Sequence, residues 1–300
     1  MAEAETPVAP LAPPALTPAA LTPAALAPAP SAPVRVYRHR LPTRLWHWVN
    51  AVTLLILLMS GMMIFNAHPR LYWGQYGANI DHAWLEIGST KDTGFFRVGT
   101  LKVETTGVLG RWTDAKGVEK TWAFPGWATI PTSYNLADGR QWHLLFAWVL
   151  SIGLALYMLW TAIGGHLKKD LHVRRAEWSP RHIWHDIKDH ARLRFPRGEA
   201  AARYNILQKL SYIGVIFVLL PLMIATGLTM SPGFNATAPW LLDLFGGRQS
   251  ARSIHFIAAC ALVAFFLVHI AMVMLAGPVN EIRSMLSGWF RLPPEKGDGA

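Results

Sequence analysis

Four stretches of about 20 mostly apolar residues, roughly Trp46–Phe65, Trp142–Gly164, Ile206–Met230 and Ile254–Ala276, dominate this 300-residue chain. A hydrocarbon core about 30 Å thick is crossed by a helix of about 20 such residues, because every backbone polar group must find its partner inside the segment. An α-helical membrane bundle satisfies that demand. With 52% hydrophobic and 15% charged residues, the chain is also too apolar for an ordinary soluble domain. Trp46, Trp48, Trp142, Trp160 and Tyr212 lie toward the window ends, where amphipathic rings favour the interface.

A net charge of +10 raises the question of nucleic acid, but its distribution points to topology. Residues 166–205 hold ten Lys or Arg, and Arg35, Arg38, Arg40 and Arg44 precede the first span. Residues 66–140 hold eight basic and seven acidic residues, which nearly cancel. Basic residues near span ends stay in the cytoplasm. Both termini and the 165–205 loop are therefore expected inside, and 66–140 outside. The expected fold class is all-α integral membrane, a four-transmembrane-helix bundle with a long periplasmic loop between helices 1 and 2. The expected partners include the lipid bilayer and no nucleic acid.

Residues 1–33, built from Ala, Pro, Leu and Thr with the repeat LTPAALTPAALAP, are expected to form a disordered cytoplasmic tail. They lack the basic start and unbroken apolar run of a cleavable signal. The membrane domain is expected over 34–290, followed by a cytoplasmic tail at 291–300. Within the outer loop, GFFRVGTLKVETTGVLGRW reads as short strands or a hairpin. Five Trp in that loop (73, 84, 112, 122 and 127) are expected to pack it onto the membrane face or form a docking surface. Ser179-Pro180 opens a basic amphipathic helix suited to lying on the inner membrane surface. Pro221 interrupts the third span. The single cysteine, Cys260, rules out an intrachain disulfide, a C-x-x-C-H haem site and a cysteine-ligated iron–sulfur cluster, and reads as a small packing residue.

His47, His143, His255 and His269 sit at or inside the apolar windows. An ionisable group at that depth is costly and points to function. His255 and His269 are fourteen residues apart, a rise of about 21 Å and a net rotation of about 40° along one helix face. The expected topology gives matched depths: His143 with His255 near the outer face, His47 with His269 near the inner. Two imidazoles bridging helices suit a six-coordinate haem iron, which transfers electrons and leaves no position open for substrate. Zinc would want three or four clustered ligands. Gly61, Gly214 and Gly227 are small enough either for a flat macrocycle to approach the backbone or for close helix packing. His182 and His185, one turn apart, read as a solvated helix face rather than a metal site.

With LPTRLWHWVN, GRQWHLLFAW and IHFIAACALVAFFLVHI, the chain resembles the bacterial di-haem cytochrome b subunits of nickel–iron hydrogenases, formate dehydrogenases and thiosulfate reductases. FPGWATIP and LFGGRQSARSIHF are similar to cytochromes b that accompany periplasmic molybdopterin oxidoreductases. The resemblance covers about residues 35–290 and departs from some members in span number and in the length of the first outer loop. It implies two haem b, the inner on His47 and His269 and the outer on His143 and His255. It implies a periplasmic molybdopterin oxidoreductase or similar redox subunit as partner, in the bacterial inner membrane. It also implies exchange with membrane quinone near the inner haem, for which Arg44, Asn50, Tyr204, Asn205, Gln208 and Lys209 are candidates. The chain is thus expected to be an electron-transfer subunit rather than an independent catalyst. Alternatives are a cytochrome b oxidising superoxide at its outer face, or a haem-free proton-coupled transporter using the histidines as relays.

Overall fold

The computed structural model describes residues 34–164, 179–192 and 206–292, and is mostly helical. Four helical segments are long and apolar enough to cross a membrane: Leu41–Asn66, Leu136–Ile163, Ile206–Thr229 and Arg248–Ala276. The first two are single helices, α1 and α2. The third begins as α4 (Ile206–Ile213), widens into a π-helical turn at Gly214–Leu219, and continues as α5 (Leu220–Thr229). Pro221 explains the widening: it has no N–H to give, and its ring would strike the carbonyl one α-turn back. The π turn opens the ladder at that point, so the segment bends its hydrogen bonding without ending. The helix expected after Ser179 runs Pro180–Ala191 (α3), with Trp184 and Ile187 exposed on its surface.

The bundle centre is built by all four segments. Leu150 and Leu154 of α2 and Leu220 of α5 are buried against Trp46, Leu54 and Leu57 of α1, Val215 and Ile216 of the π turn, and Leu262. Glycines set the approach of α1 to α2. A Cβ at Gly153 would fall 2.4 Å from the Trp46 ring, and one at Gly139 would fall 2.7 Å from Met63. Trp46 packs against α2, stacked on Tyr157 at 5.7 Å. Trp48 and Trp142 do remain exposed. Cys260 is also exposed on its helix and does not serve as a packing residue.

Residues 67–135, between α1 and α2, form a β-rich layer. Four antiparallel strands, β2 (Arg70–Leu71), β3 (Leu85–Ser89), β4 (Gly94–Val98) and β5 (Leu101–Glu104), pair in sequence order as a meander. A two-stranded hairpin, β6 (Trp112–Thr113) with β7 (Glu119–Lys120), follows. The strands expected in GFFRVGTLKVETTGVLGRW are thus present. Leu71, Leu85, Ile87 and Ala123 are buried against Phe65 at the end of α1 and against Phe256. Glu86, itself buried, sits between two cross-strand arginines, with Arg70 at 2.7 Å and Arg97 at 2.5 Å. Asn66 closes the junction: its Oδ1 accepts from the Phe124 amide at 2.7 Å and its Nδ2 donates to the Phe124 carbonyl.

Two short helices, α6 (Pro232–Thr237) and α7 (Pro239–Leu244), connect to the fourth span, α8 (Arg248–Ala276). Helix α9 (Pro278–Ser287) and strand β8 (Trp289–Arg291) follow. Strand β8 pairs antiparallel with β1 (Arg35–Tyr37), and the Leu292 amide donates to the Val34 carbonyl. The paired segment therefore runs two residues into the stretch assigned to the C-terminal tail. Arg38 lies over the buried Phe290 ring and 3.6 Å from Glu281, so α9 is fixed beside the start of α1.

Candidate functional site: two histidine pairs across the bundle

Helix α8 supplies one histidine to each of two sites. His255, in its second turn, faces His143 of α2, with ring centroids 6.4 Å apart and planes inclined at 60°. His269, near its other end, faces His47 of α1, with centroids 6.2 Å apart and planes at 57°. The four histidines come together in the pairs expected from matched depth. Fourteen residues of α8 separate the sites by about 21 Å along its axis.

These separations allow a test of what could lie between the rings. A metal–imidazole bond of about 2 Å, plus about 1.1 Å from nitrogen to ring centre, puts imidazoles on opposite sides of one ion about 6.2 Å apart, centre to centre. Both pairs match that spacing. Among the described residues, no group of three or more His, Cys, Asp or Glu gathers to hold a bare metal ion. The residues present therefore fit an ion that brings its own equatorial ligands, as a haem does.

At the first site the histidine rings are oriented by hydroxyls. Ser60 Oγ donates to the Ile56 carbonyl at 2.6 Å and lies 3.1 Å from His143 Nδ1. Thr226 Oγ1 donates to the Leu222 carbonyl at 2.7 Å and lies 2.9 Å from His255 Nδ1. Each hydroxyl's single proton goes to the shorter bond, which leaves its oxygen able to accept from Nδ1, and the backbone of Leu57 and of Met223 offers a second acceptor to the same rings. A ring that donates there keeps the Nε2 lone pair free for a metal. Neither hydroxyl stood out in the sequence. The usable signal is a Ser or Thr next to a glycine on a neighbouring span, Ser60-Gly61 and Thr226-Gly227. A Cβ at Gly61 would lie 3.4 Å from the His143 ring, and one at Gly227 would lie 3.6 Å from His255. These two glycines make room for the imidazoles themselves, whereas Gly214 faces open space. It lines an apolar cavity of about 320 Å³ together with Ser211, Val218 and Phe265. Phe265 in turn stacks on His269 at 5.8 Å.

The β layer holds this end of α8 in place. Backbone amides of Gln249 and Ser250, two of the unsatisfied donors of the helix start, give to the Gly74 carbonyl. Ser250 Oγ accepts from the Gly74 amide at 2.7 Å, and Trp84 Nε1 donates to Ser253 Oγ at 2.9 Å. Arg252 donates to the carbonyls of His68 and Arg70. The approach is close enough to require glycine at position 247, where φ is +109° and a Cβ would lie 2.7 Å from the Gly74 carbonyl. His255 follows Arg252 by one turn and inherits this anchorage.

The second site differs. His47 Nδ1 is buried without a protein partner, and so are Thr43 Oγ1, Arg44 Nε and Asn50 Oδ1. Four unsatisfied polar atoms within eight residues exceed what a closed protein interior tolerates. Arg44 and Asn50 thus lie beside His47 with capacity to spare. Gln208 sits on the first turn of α4, and Lys209 is buried there. Tyr204 and Asn205 fall outside the described residues, as does most of the basic 165–205 segment.

The chain is similar to several known proteins. Over 232 residues the chain is 27% identical to the putative protein-methionine-sulfoxide reductase subunit YedZ1 of Azospira oryzae, covering 77% of this chain and 87% of that one. It is 22% identical over 278 residues to the probable Ni/Fe-hydrogenase B-type cytochrome subunit of Azotobacter vinelandii, covering 88% and 91%. The corresponding subunit of Cupriavidus necator is 21% identical over 267 residues, covering 84% and 86%. No solved structure matches the chain. The sequence pattern of one family covers residues 38–288, nearly all of the bundle and both histidine pairs, and by that match the chain belongs to the prokaryotic cytochrome b561 family.

Proposed function

We propose that the protein carries electrons across the bacterial inner membrane between the quinone pool and a periplasmic redox subunit, through two stacked haem b groups. Membership of a b-type cytochrome family makes it a multi-pass membrane protein of electron transfer that binds haem b, within oxidoreductase assemblies. Haem binding sets aside the haem-free transporter. The observation that carries the finer reading is the pair of cross-helix histidine couples, 6.4 and 6.2 Å between ring centres, at opposite ends of α8.

In this reading His143 and His255 would hold one haem at one end, and His47 and His269 the other haem at the opposite end. A haem b held by these two imidazoles would supply one-electron transfer and would leave no position for substrate. The residues supply the geometry. Ser60 and Thr226 present Nε2 of their histidines, and the β layer fixes the start of α8. Arg44 Nε, a buried donor that no protein group satisfies, would donate to a quinone carbonyl beside the second pair, and Asn50 Oδ1, an unsatisfied acceptor, would accept from a quinol hydroxyl; Gln208 is a further candidate. Tyr204 and Asn205 complete the candidate set.

The basic segment 166–205 and the arginines before α1 favour the cytoplasm for the His47–His269 end and for both termini. The β layer then faces the periplasm, where Tyr76 and Trp127, 88% and 78% exposed, suit docking of a molybdopterin oxidoreductase or similar subunit. The chain organisation proposed is a tail at 1–33, the membrane domain at 34–290, and a tail at 291–300 whose first two residues are still paired with the segment before α1.

Absorption spectra of the purified protein, oxidised and dithionite-reduced, test the reading. A b-type α band with two haems per chain is expected. Replacing His143 or His255 with Ala is expected to remove one haem and spare the other. Retention of both would overturn the ligand pairing.

A further inference from the structure

The two histidine pairs are unequal in a way that bears on redox chemistry. At the His143–His255 site each Nδ1 meets a hydroxyl whose own proton is committed to a helix carbonyl, with the backbone of Leu57 or Met223 as a second partner beside it. At the other site His47 Nδ1 has no protein partner. An imidazole that donates from Nδ1 becomes more electron-rich at Nε2 and a stronger ligand, because the hydrogen bond stabilises the charge it shares with a metal. A stronger donor favours the oxidised, more positive ion over the reduced one.

We propose that Ser60 and Thr226 are positioning residues that lower the reduction potential at the His143–His255 site and thereby set the two sites apart. The proposal rests on the reading of these histidines as haem ligands. It goes further by assigning the difference between the sites to two hydroxyls contributed by helices that carry neither His255 nor His143. Each of those hydroxyls is held in place by its own helix. Ser60 and Thr226 are fully buried at 0% exposure, so no water competes for the acceptor. Glycine follows each hydroxyl and lets the ring approach.

The test uses the full-length, haem-loaded protein in detergent and a mediated optical redox titration, comparing wild type with Ser60→Ala, Thr226→Val and the pair combined. The expected result is an upward shift of one of the two midpoint potentials, larger in the double variant, with the other unmoved. Thr226→Ser, which keeps the hydroxyl, is expected to restore the wild-type value. If a variant holds its haem more weakly instead, a loss of about 10- to 100-fold in affinity confined to one haem also supports the assignment. Two unmoved potentials with both haems retained would overturn it, as would equal shifts at both sites. His255→Ala keeps this outcome separate from the parent reading. If that variant loses one haem while Thr226→Val moves no potential, the hydroxyl proposal alone fails. If His255→Ala retains both haems, the ligand assignment fails with it.

Discussion

His68 shows how a single side chain reports on the layer that anchors α8. It lies just past the end of α1, stacked on Tyr72 at 5.8 Å, and its carbonyl accepts from Arg252. Burial, then the cations of Arg252 and Arg70, hold its pKa below the usual histidine value. Because the folded pKa is the lower one, the neutral ring contributes stability in full above about pH 6.5, and that contribution fades as pH falls through the folded value. The hydrogen-exchange protection factors of residues 67–80, with the intrinsic pH dependence of exchange divided out, are therefore expected to fall on acidification from pH 7.5 to 5. His68→Asn is expected to flatten that dependence, and an unchanged slope in the variant would count against the account. Ser60 and Thr226 make the opposite point about single residues. They titrate nowhere near neutral pH, yet they decide which nitrogen of each histidine is available.

At the scale of elements, the charged strand ladder is the part most open to disruption. Glu86 has arginines on both flanking strands and is itself buried, while the two guanidinium groups keep partial access to solvent. Removing the carboxylate leaves two like charges facing each other across β3. Fully buried pairs broken in this way cost about 3–5 kcal/mol, and the partial exposure here brings the expectation to about 2 kcal/mol for Glu86→Ala. Limited proteolysis is expected to cut first within residues 67–135 in that variant, while the helices stay intact. Cleavage no faster than wild type would refute the role given to the ladder. The third span carries a different lesson. Pro221 reads from the sequence as an interruption, and the structure turns it into a π-helical turn that leaves α5 free to present Thr226 to His255.

For the whole molecule, the pairing of β1 with β8 brings the two ends of the described chain together, at the end of the bundle where α1 starts. In the proposed topology that end lies in the cytoplasm, since basic residues flank it. With Cys260 replaced by Ala, a cysteine at Lys116 in the β layer is expected to react with a membrane-impermeant maleimide in spheroplasts. A cysteine at Lys188 on α3 is expected to react only after the membrane is opened. The reverse pattern would invert the proposed direction of the wire.

Four apolar windows and four histidines are properties of the linear chain. They carried the bundle and the family, since spanning length and the cost of a membrane imidazole depend on local composition alone. The fourteen-residue spacing on α8 is likewise legible, because helix periodicity turns sequence distance into direction. What the linear chain withheld are contacts between residues far apart in it. The Gly153 notch for Trp46, the hold of Gly74 on the start of α8, and the hydroxyls behind His143 and His255 exist only once the helices have packed. Small residues and hydroxyls carry no distinctive pattern in an apolar segment. The partner brought within 3 Å gives each one its meaning.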